Sequence, residues 1–440
     1  MSSGVIGLLI FLLMLVMVLF GVPIFVSMLA CSLLGFFILG GPTMMLSQLT
    51  SAPLSLAASY SYAVLPLFTL VGMLAGETGI AKGAYDSAKV WLERLRGGLL
   101  YTTVVANAVF GACSGINTAS NIIFSKIALP ELERNGYDRR TSLGCIVASS
   151  SLSAMIPPSI PIIMYCLLAG YSIGTSLMYG LSTGILCVIV MFIGIKIISI
   201  VQPDRIPKVD KNAPKTPLKK KIASLRLLIP ILVLFALIIG GTYNGWFSAT
   251  VGGAIGAVAV TIYALCKRIS PKRIFLAAWE GGHIFAGIYP IIIAGTMFSR
   301  FISLSGLPDF IINVLTSLPL PPLGIYFMVL IYFLICGAVM DIMCTIIISV
   351  PIVFPLLVDT LGFDPYALII VLVMMSSIAS ITPPIGMGVF TVSNATGIPS
   401  KEIFSGIIPY FFMLLAVTIL IVLFPQIPAL IPNIIALFGG

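Results

Sequence analysis

Charge is what this chain lacks most. Only 8% of its 440 residues are Asp, Glu, Lys or Arg, where a soluble domain carries about 25%. That is too little polar surface to wrap a soluble core. Disorder is excluded as well, because it needs high charge and low hydrophobicity. The eight cysteines (Cys31, Cys113, Cys145, Cys166, Cys187, Cys266, Cys336, Cys344) form no Cys-x-x-Cys pair, so neither a zinc site nor a disulfide framework is favoured. No basic stripe is interleaved with aromatics, so nucleic acid is not an expected partner. Short alternating segments, the mark of a membrane β-barrel, are missing too.

What is present is apolar. Hydrophobic residues make up 59% of the chain and the mean hydropathy is +1.17. A spanning helix needs roughly 20 apolar residues, and continuous apolar runs recur from 4–20 to 404–424. These predict an all-α polytopic membrane protein. The N-terminus has no positive charge ahead of its first run and is read as a retained span, not a signal peptide.

The stretch Gln202–Arg226 is the one clear hydrophilic linker, rich in Lys and Pro. It predicts a first unit over 1–201, a basic linker over 202–225 and a second unit over 226–440. The net charge of +9 orients the chain through its cytoplasmic loops. Placing the linker in the cytoplasm puts every Lys and Arg except Arg300 on that side, provided that 98–132 and 322–357 are re-entrant hairpins. Both termini then face the periplasm. The remaining segments are scaffold spans over 4–76 and 226–299, and broken helices over 141–169 and 365–394.

An internal repeat supports this division. Pro157-Pro158 and Pro383-Pro384 lie 226 residues apart. The same shift maps Gly111-Ala112 onto Gly337-Ala338, Gly136-Tyr137-Asp138 onto Gly362-Phe363-Asp364, Ser150-Ser151 onto Ser376-Ser377, and Gly180 onto Gly406. The halves begin on opposite sides of the membrane, so the repeat is inverted. Inverted repeats with broken helices are the build of secondary transporters.

Four segments carry candidate chemistry. The first hairpin turn, Gly111–Ser120, interrupts an apolar run with Gly115 and the oxygens of Ser114, Asn117 and Thr118; backbone freed there must face protein, water or an ion. In the second, Ser149–Pro161, the double proline breaks the helix. Carbonyls before the break suit a cation and amides after it suit a carboxylate. The third is the turn Cys336–Thr345. Its Asp341 is the only acidic residue within the apolar span of either hairpin, and an intramembrane carboxylate by default marks an ion or proton site. The fourth, Ser376–Gly388, repeats the second with Ser380 and Thr382 as extra oxygens. Such ligands suit a hard monovalent cation better than a transition metal. Small residues packing two helices, or a plain proline kink, are the alternative readings of the first two. His283, one turn after Glu280, reads as a helix-end pair. Arg300 either attracts an anion or snorkels to the interface. The segment Gly79–Gly98 reads as an amphipathic surface arm.

Several stretches together resemble the large membrane subunit of tripartite ATP-independent periplasmic (TRAP) transporters. They are Phe110–Gly115, Ile127–Leu132 with Asn135–Arg140, Ile156–Pro161, Ile381–Met387 and Phe424–Asn433. The likeness covers essentially the whole chain. It implies an elevator-type secondary transporter in the bacterial inner membrane. Its partners would be a small four-helix membrane subunit and a periplasmic binding protein that delivers a small organic acid. Sodium ions would be the coupling ions, with no other cofactor. The implied first sodium site comprises Ser114, Gly115, Asn117, Thr118, Ser149, Ser153 and Pro157. The second comprises Gly337, Asp341, Thr345, Ser377, Ser380, Thr382 and Pro383. Substrate contacts are assigned to Ser150, Ser159, Gly386 and Arg300.

Two other readings compete. One is a stand-alone sodium- or proton-coupled carboxylate symporter or antiporter. The other is an intramembrane protease. A serine protease needs a Ser-His or Ser-Lys pair in the membrane, and an aspartyl type needs two intramembrane aspartates where only Asp341 qualifies.

Overall fold

A computed structural model of the chain describes residues 3–208 and 216–438. Residues 209–215, inside the basic linker, lie outside the described residues. The described chain is helical and contains no strand. Among the described residues, eight helices are long and apolar enough to cross a membrane, or nine if Leu218–Leu227 and Ile229–Tyr243, which meet at 47°, count as one span.

The two halves reproduce the same local devices at the 226-residue spacing. Gly136 and Gly362 both take positive φ, +75° and +72°. Asp138 then caps the helix Arg139–Ser150 by accepting from the Thr141 amide at 2.8 Å. Asp364 caps Pro365–Ala379 through the Ala367 amide at 2.6 Å. A carboxylate at this position satisfies an orphan amide and meets the positive end of the helix dipole. Both helices stop before a double proline. The chain resumes as Ile160–Ala169 in the first half and Met387–Thr396 in the second. Both Pro–Pro peptides are cis. Ahead of each broken helix stands a helical hairpin. The first is Gly98–Ser114 with Asn117–Arg134 and the second is Pro322–Val339 with Ile342–Phe354.

The broken helices form the centre of the molecule. From Thr141 to Ile163 and from Ala367 to Ile381 every residue is buried. Longer helices surround them. The helix Ile173–Val201 shows why. Ile185, Ile189, Ile193 and Ile197 recur every fourth residue on its exposed face. Gly180, Gly184 and Gly194 lie against Met155, Ile156 and Met413 on the other. Lipid is as apolar as isoleucine, so packing and not burial drives such contacts, and small residues allow close approach. The approach is tightest where Arg139–Ser150 crosses Ser400–Leu423. A Cβ on Gly406 would lie 1.9 Å from the Arg140 carbonyl oxygen, and one on Gly144 would lie 2.1 Å from that of Gly406.

Three features differ from the sequence expectation. The sequence alone reads the apolar run over 23–40 as one span, but the helix starting at Ile24 continues to Ala57 with a kink at Gly40 and Gly41. Pro42 and Pro53 lie inside the extension and read locally as stops, so the sequence did not mark it. The arm over Gly79–Gly98 is a helix only from Ile80 to Leu92. A second arm, Leu307–Thr316, was missed. It is too short for a span and its charge is slight, but it too begins after a left-handed glycine, Gly306, as the first begins after Gly79.

The first arm is fastened at both edges. Lys89 pairs with Glu131 at the end of the first hairpin. Lys221 from the linker sits 5.6 Å over the Trp91 ring, and Thr216 donates to Glu93. The hydrogen bond from Lys89 holds the Glu131 carboxyl below its usual range, against a smaller opposing effect of burial. A depressed carboxyl contributes stability above its unfolded pKa, about 4.3, and loses it as pH falls through the folded value. Glu131→Gln is therefore expected to lower the unfolding temperature near neutral pH. The gap to wild type should close below about pH 4. Both side chains are partly exposed, so the effect is at most about 1 kcal/mol. A gap that persists unchanged at acid pH would show that the pair carries no charge-dependent stability.

Candidate functional site

Each hairpin tip meets the break of its own half. In the first half, Ser114 ends one helix and Gly115, at φ +60°, turns the chain toward the next. A Cβ on Gly115 would sit 2.2 Å from the Pro158 carbonyl oxygen, so the tip rests directly on the break. One turn back, a Cβ on Gly111 would meet the Ser153 Cα at 2.9 Å. Ser120 and Ser153 share a hydrogen bond of 2.6 Å across the contact.

The second half repeats this contact with different chemistry. A Cβ on Gly337 would meet the Ala379 Cβ at 2.7 Å, the 226-residue counterpart of Gly111 on Ser153. The Gly386 amide donates to the Ala338 carbonyl at 3.2 Å and ties the break to the hairpin. The tip here is Met340-Asp341 in place of Ser114-Gly115. Asp341 caps the helix Ile342–Phe354 by accepting from the Met343 amide at 3.0 Å. Thr345 is buried and donates to the Asp341 carbonyl at 3.1 Å.

The polar groups divide into engaged and unengaged. Ser149 accepts from Asn107 Nδ2 at 2.8 Å, and Ser150 lies 3.2 Å from Asn107 Oδ1. Ser159 donates to the Ala154 carbonyl and accepts from the Ile162 amide at 3.3 Å. Ser380 and Thr382 both return to the helix, donating to the Ser377 and Ile378 carbonyls at 2.7 Å. By contrast, Ser114 Oγ and the whole amide of Asn117 are buried without a partner, as are Asn121 Oδ1 and Ser377 Oγ. Leaving a buried polar atom unsatisfied costs about 1–3 kcal/mol, so Ser114 and Asn117 at the first hairpin tip are groups that an ion, a ligand or water would satisfy. Backbone and side-chain oxygens of this kind can hold a sodium ion. No group of three or more His, Cys, Asp or Glu side chains fit for a transition metal occurs among the described residues.

The expected first set is largely brought together. Ser114, Gly115 and Asn117 lie at the tip, and Ser153 and Pro157 belong to the break beneath it. Ser149 is bound into the Asn107 network, and Thr118 is exposed. Of the second set, Gly337, Asp341 and Thr345 lie at the tip, with Ser380, Thr382 and Pro383 at the facing break. Ser377 is set apart. It faces the other half, lining with Ser151, Leu152 and Ile378 a void of about 10 Å³ between the broken helices. That is room for about one water. The four expected substrate contacts do not converge. Ser150 and Ser159 are fully buried, and Gly386 is at the second hairpin. Arg300 reaches Gln48 Oε1 at 3.5 Å and Ser55 Oγ at 3.4 Å on the kinked helix.

Asn107 and Asn121 were missed by sequence reasoning. Both lie inside hairpin helices, away from the Gly- and Pro-marked turns. A buried asparagine in an apolar run is the signal that would have found them. The repeat also hides them, since the counterparts of Asn107 and Ser149 are Phe333 and Met375. Polar bonding fastens the first hairpin where apolar packing fastens the second.

Comparison with known proteins agrees over nearly the whole chain. The family described as "Tripartite ATP-independent periplasmic transporter, DctM component" matches residues 11–427. The chain is 29% identical over 379 residues to the C4-dicarboxylate TRAP transporter large permease protein DctM of Pseudomonas aeruginosa, covering 85% of this chain and 86% of that protein. It is 26% identical over 413 residues to the ectoine TRAP transporter large permease protein TeaC of Halomonas elongata, covering 93% and 95%. Among solved structures, the YdaH transporter of Alcanivorax borkumensis matches with a TM-score of 0.53 at 15% identity, covering 96% of this chain and 98% of that one, which shows a shared fold. With its helical hairpins and paired broken helices, this chain belongs to the DctM-component family of TRAP transporters.

Proposed function

We propose that this chain is the sodium-driven translocating subunit of an importer for small organic anions in the bacterial inner membrane. It works with a small four-helix membrane subunit, and a periplasmic binding protein delivers the substrate. The observation that carries the reading is the pair of hairpin tips set on helix breaks, with unpartnered oxygens at the first and Asp341 at the second. The relatives' printed substrates, C4-dicarboxylate and ectoine, both fit a site for small carboxylates.

In this mechanism both hairpins are re-entrant and the halves are inverted across the membrane, with both termini periplasmic. One sodium ion binds at each tip. Sodium joins hairpin to broken helix and orders the substrate pocket between the halves, so that ion and anion raise each other's affinity. The hairpins and broken helices then move as one body against a scaffold built from 4–76 and 226–299. No step makes or breaks a covalent bond, so the chain is not an enzyme.

Uptake into proteoliposomes tests the reading. The chain and its small partner are reconstituted with an inward sodium gradient, and labelled succinate and other organic acids are offered with and without the cognate binding protein. Sodium-driven uptake that needs the binding protein is expected. Uptake without it would establish a stand-alone symporter. Sodium-independent uptake would overturn the coupling.

A further inference from the structure

The second arm of the first hairpin, Asn117–Arg134, and the helix after the second break, Met387–Thr396, border an open groove. It has a volume of about 510 Å³ and is lined by Ile122, Lys126, Thr391, Asn394 and Ala395. No carboxylate lines it. Lys126 is exposed and forms no ion pair among the described residues. Beyond the groove's lining the two helices touch, where a Cβ on Gly388 would lie 3.4 Å from Asn121 Nδ2. Asn121 is 2% exposed, and its Oδ1 has no partner. One turn further, at the hairpin tip, both amide atoms of Asn117 are likewise buried and unpartnered. One helix thus carries an unpaired ammonium at Lys126, an unpartnered amide oxygen on Asn121 five residues away, and an unpartnered amide on Asn117 nine residues away.

We infer that this groove is a binding vestibule for a small carboxylate, with Lys126 as its counter-charge. The inference rests on the importer reading for its substrate class, and it adds the place and the charge. A lone positive group in a cleft concentrates anions there. The Lys126 ammonium is a donor that a carboxylate accepts from in a charge-assisted hydrogen bond. The groove spans both halves of the chain. A ligand in it therefore touches the first hairpin and the second broken helix together, and so senses their relative position.

The groove's charge can be read without transport. Asn394→Cys is introduced in a Cys266→Ser background, Cys266 being the exposed cysteine. The full chain in neutral-lipid nanodiscs is then treated with an anionic or a cationic methanethiosulfonate reagent. With Lys126 present, the anionic reagent should be favoured. Lys126→Gln should lower the anionic-to-cationic rate ratio about fivefold, as a unit charge roughly 8 Å away in water would, and Lys126→Arg should preserve it. An unchanged ratio in Lys126→Gln would overturn the inference. In the proposed orientation of the reconstituted importer the groove faces the cytoplasmic side, so Lys126→Gln should raise several-fold the internal succinate concentration that half-inhibits uptake, and an unchanged value would equally overturn the inference. Because the reagent rates need no uptake, a failed transport assay would sink the importer reading and leave the charged groove standing.

Discussion

Asp341→Asn is expected to raise the sodium concentration for half-maximal uptake at least about tenfold while leaving the fold intact. The substitution separates two roles. Asp341 caps the helix Ile342–Phe354 through the Met343 amide, and asparagine caps a helix about as well as aspartate. Only the charge is lost. A hydrogen bond or contact to a charged group contributes about 1.5–3 kcal/mol, and 1.4 kcal/mol is tenfold in affinity. Asp341→Ala removes the cap as well, and should lower the unfolding temperature where the asparagine variant does not. The check is sodium titration of uptake in proteoliposomes, paired with thermal unfolding with and without sodium. Sodium activation that survives Asp341→Asn unchanged would remove the second sodium site from the proposal.

Gly115→Ala should be among the most damaging single-methyl changes in the chain's first half. The backbone there is left-handed, at φ +60°, which costs a non-glycine residue roughly 1–2 kcal/mol. The added Cβ would also lie 2.2 Å from the Pro158 carbonyl oxygen. Backbone cannot rotate aside as a side chain does, so the hairpin must lift off the break, at a cost of roughly 1–3 kcal/mol more. The expected result is a lower unfolding temperature and loss of most sodium-driven uptake. Gly136→Ala is the control. Its φ of +75° carries the same backbone strain, but nothing lies within 4 Å of its Cβ position. If the two variants behaved alike, strain and not the close contact would be responsible. If Gly115→Ala kept full activity, the tip could not be part of an ion site.

The fold was largely legible because membranes leave few choices. A chain with 59% hydrophobic residues must satisfy its backbone within each segment, which selects helices. The turn signals were equally plain. Gly115, Pro157-Pro158 and Pro383-Pro384 interrupt apolar runs where an interruption is costly, and each coincides with a hairpin tip or a break. The second arm at Leu307–Thr316 was not legible, because a ten-residue amphipathic helix lies below the length at which hydropathy alone speaks. Nor was the extension of the second helix to Ala57, since Pro42 and Pro53 read locally as stops.

Of the site, the sequence by itself determined which turns carry polar atoms and that the two halves share a 226-residue register. Residue types and spacing suffice for that, since Gly, Pro and an isolated Asp are conspicuous against leucine and isoleucine. Only the tertiary structure decided which oxygens remain without partners. Ser149 and Ser150 look like ligands in a string of serines, but Asn107, 42 and 43 residues away, binds both. Ser377 looks like its neighbours Ser376 and Ser380, but helical geometry turns it toward the other half. Whether a hydroxyl is engaged depends on what another helix brings within about 3 Å, and no local pattern encodes that distance.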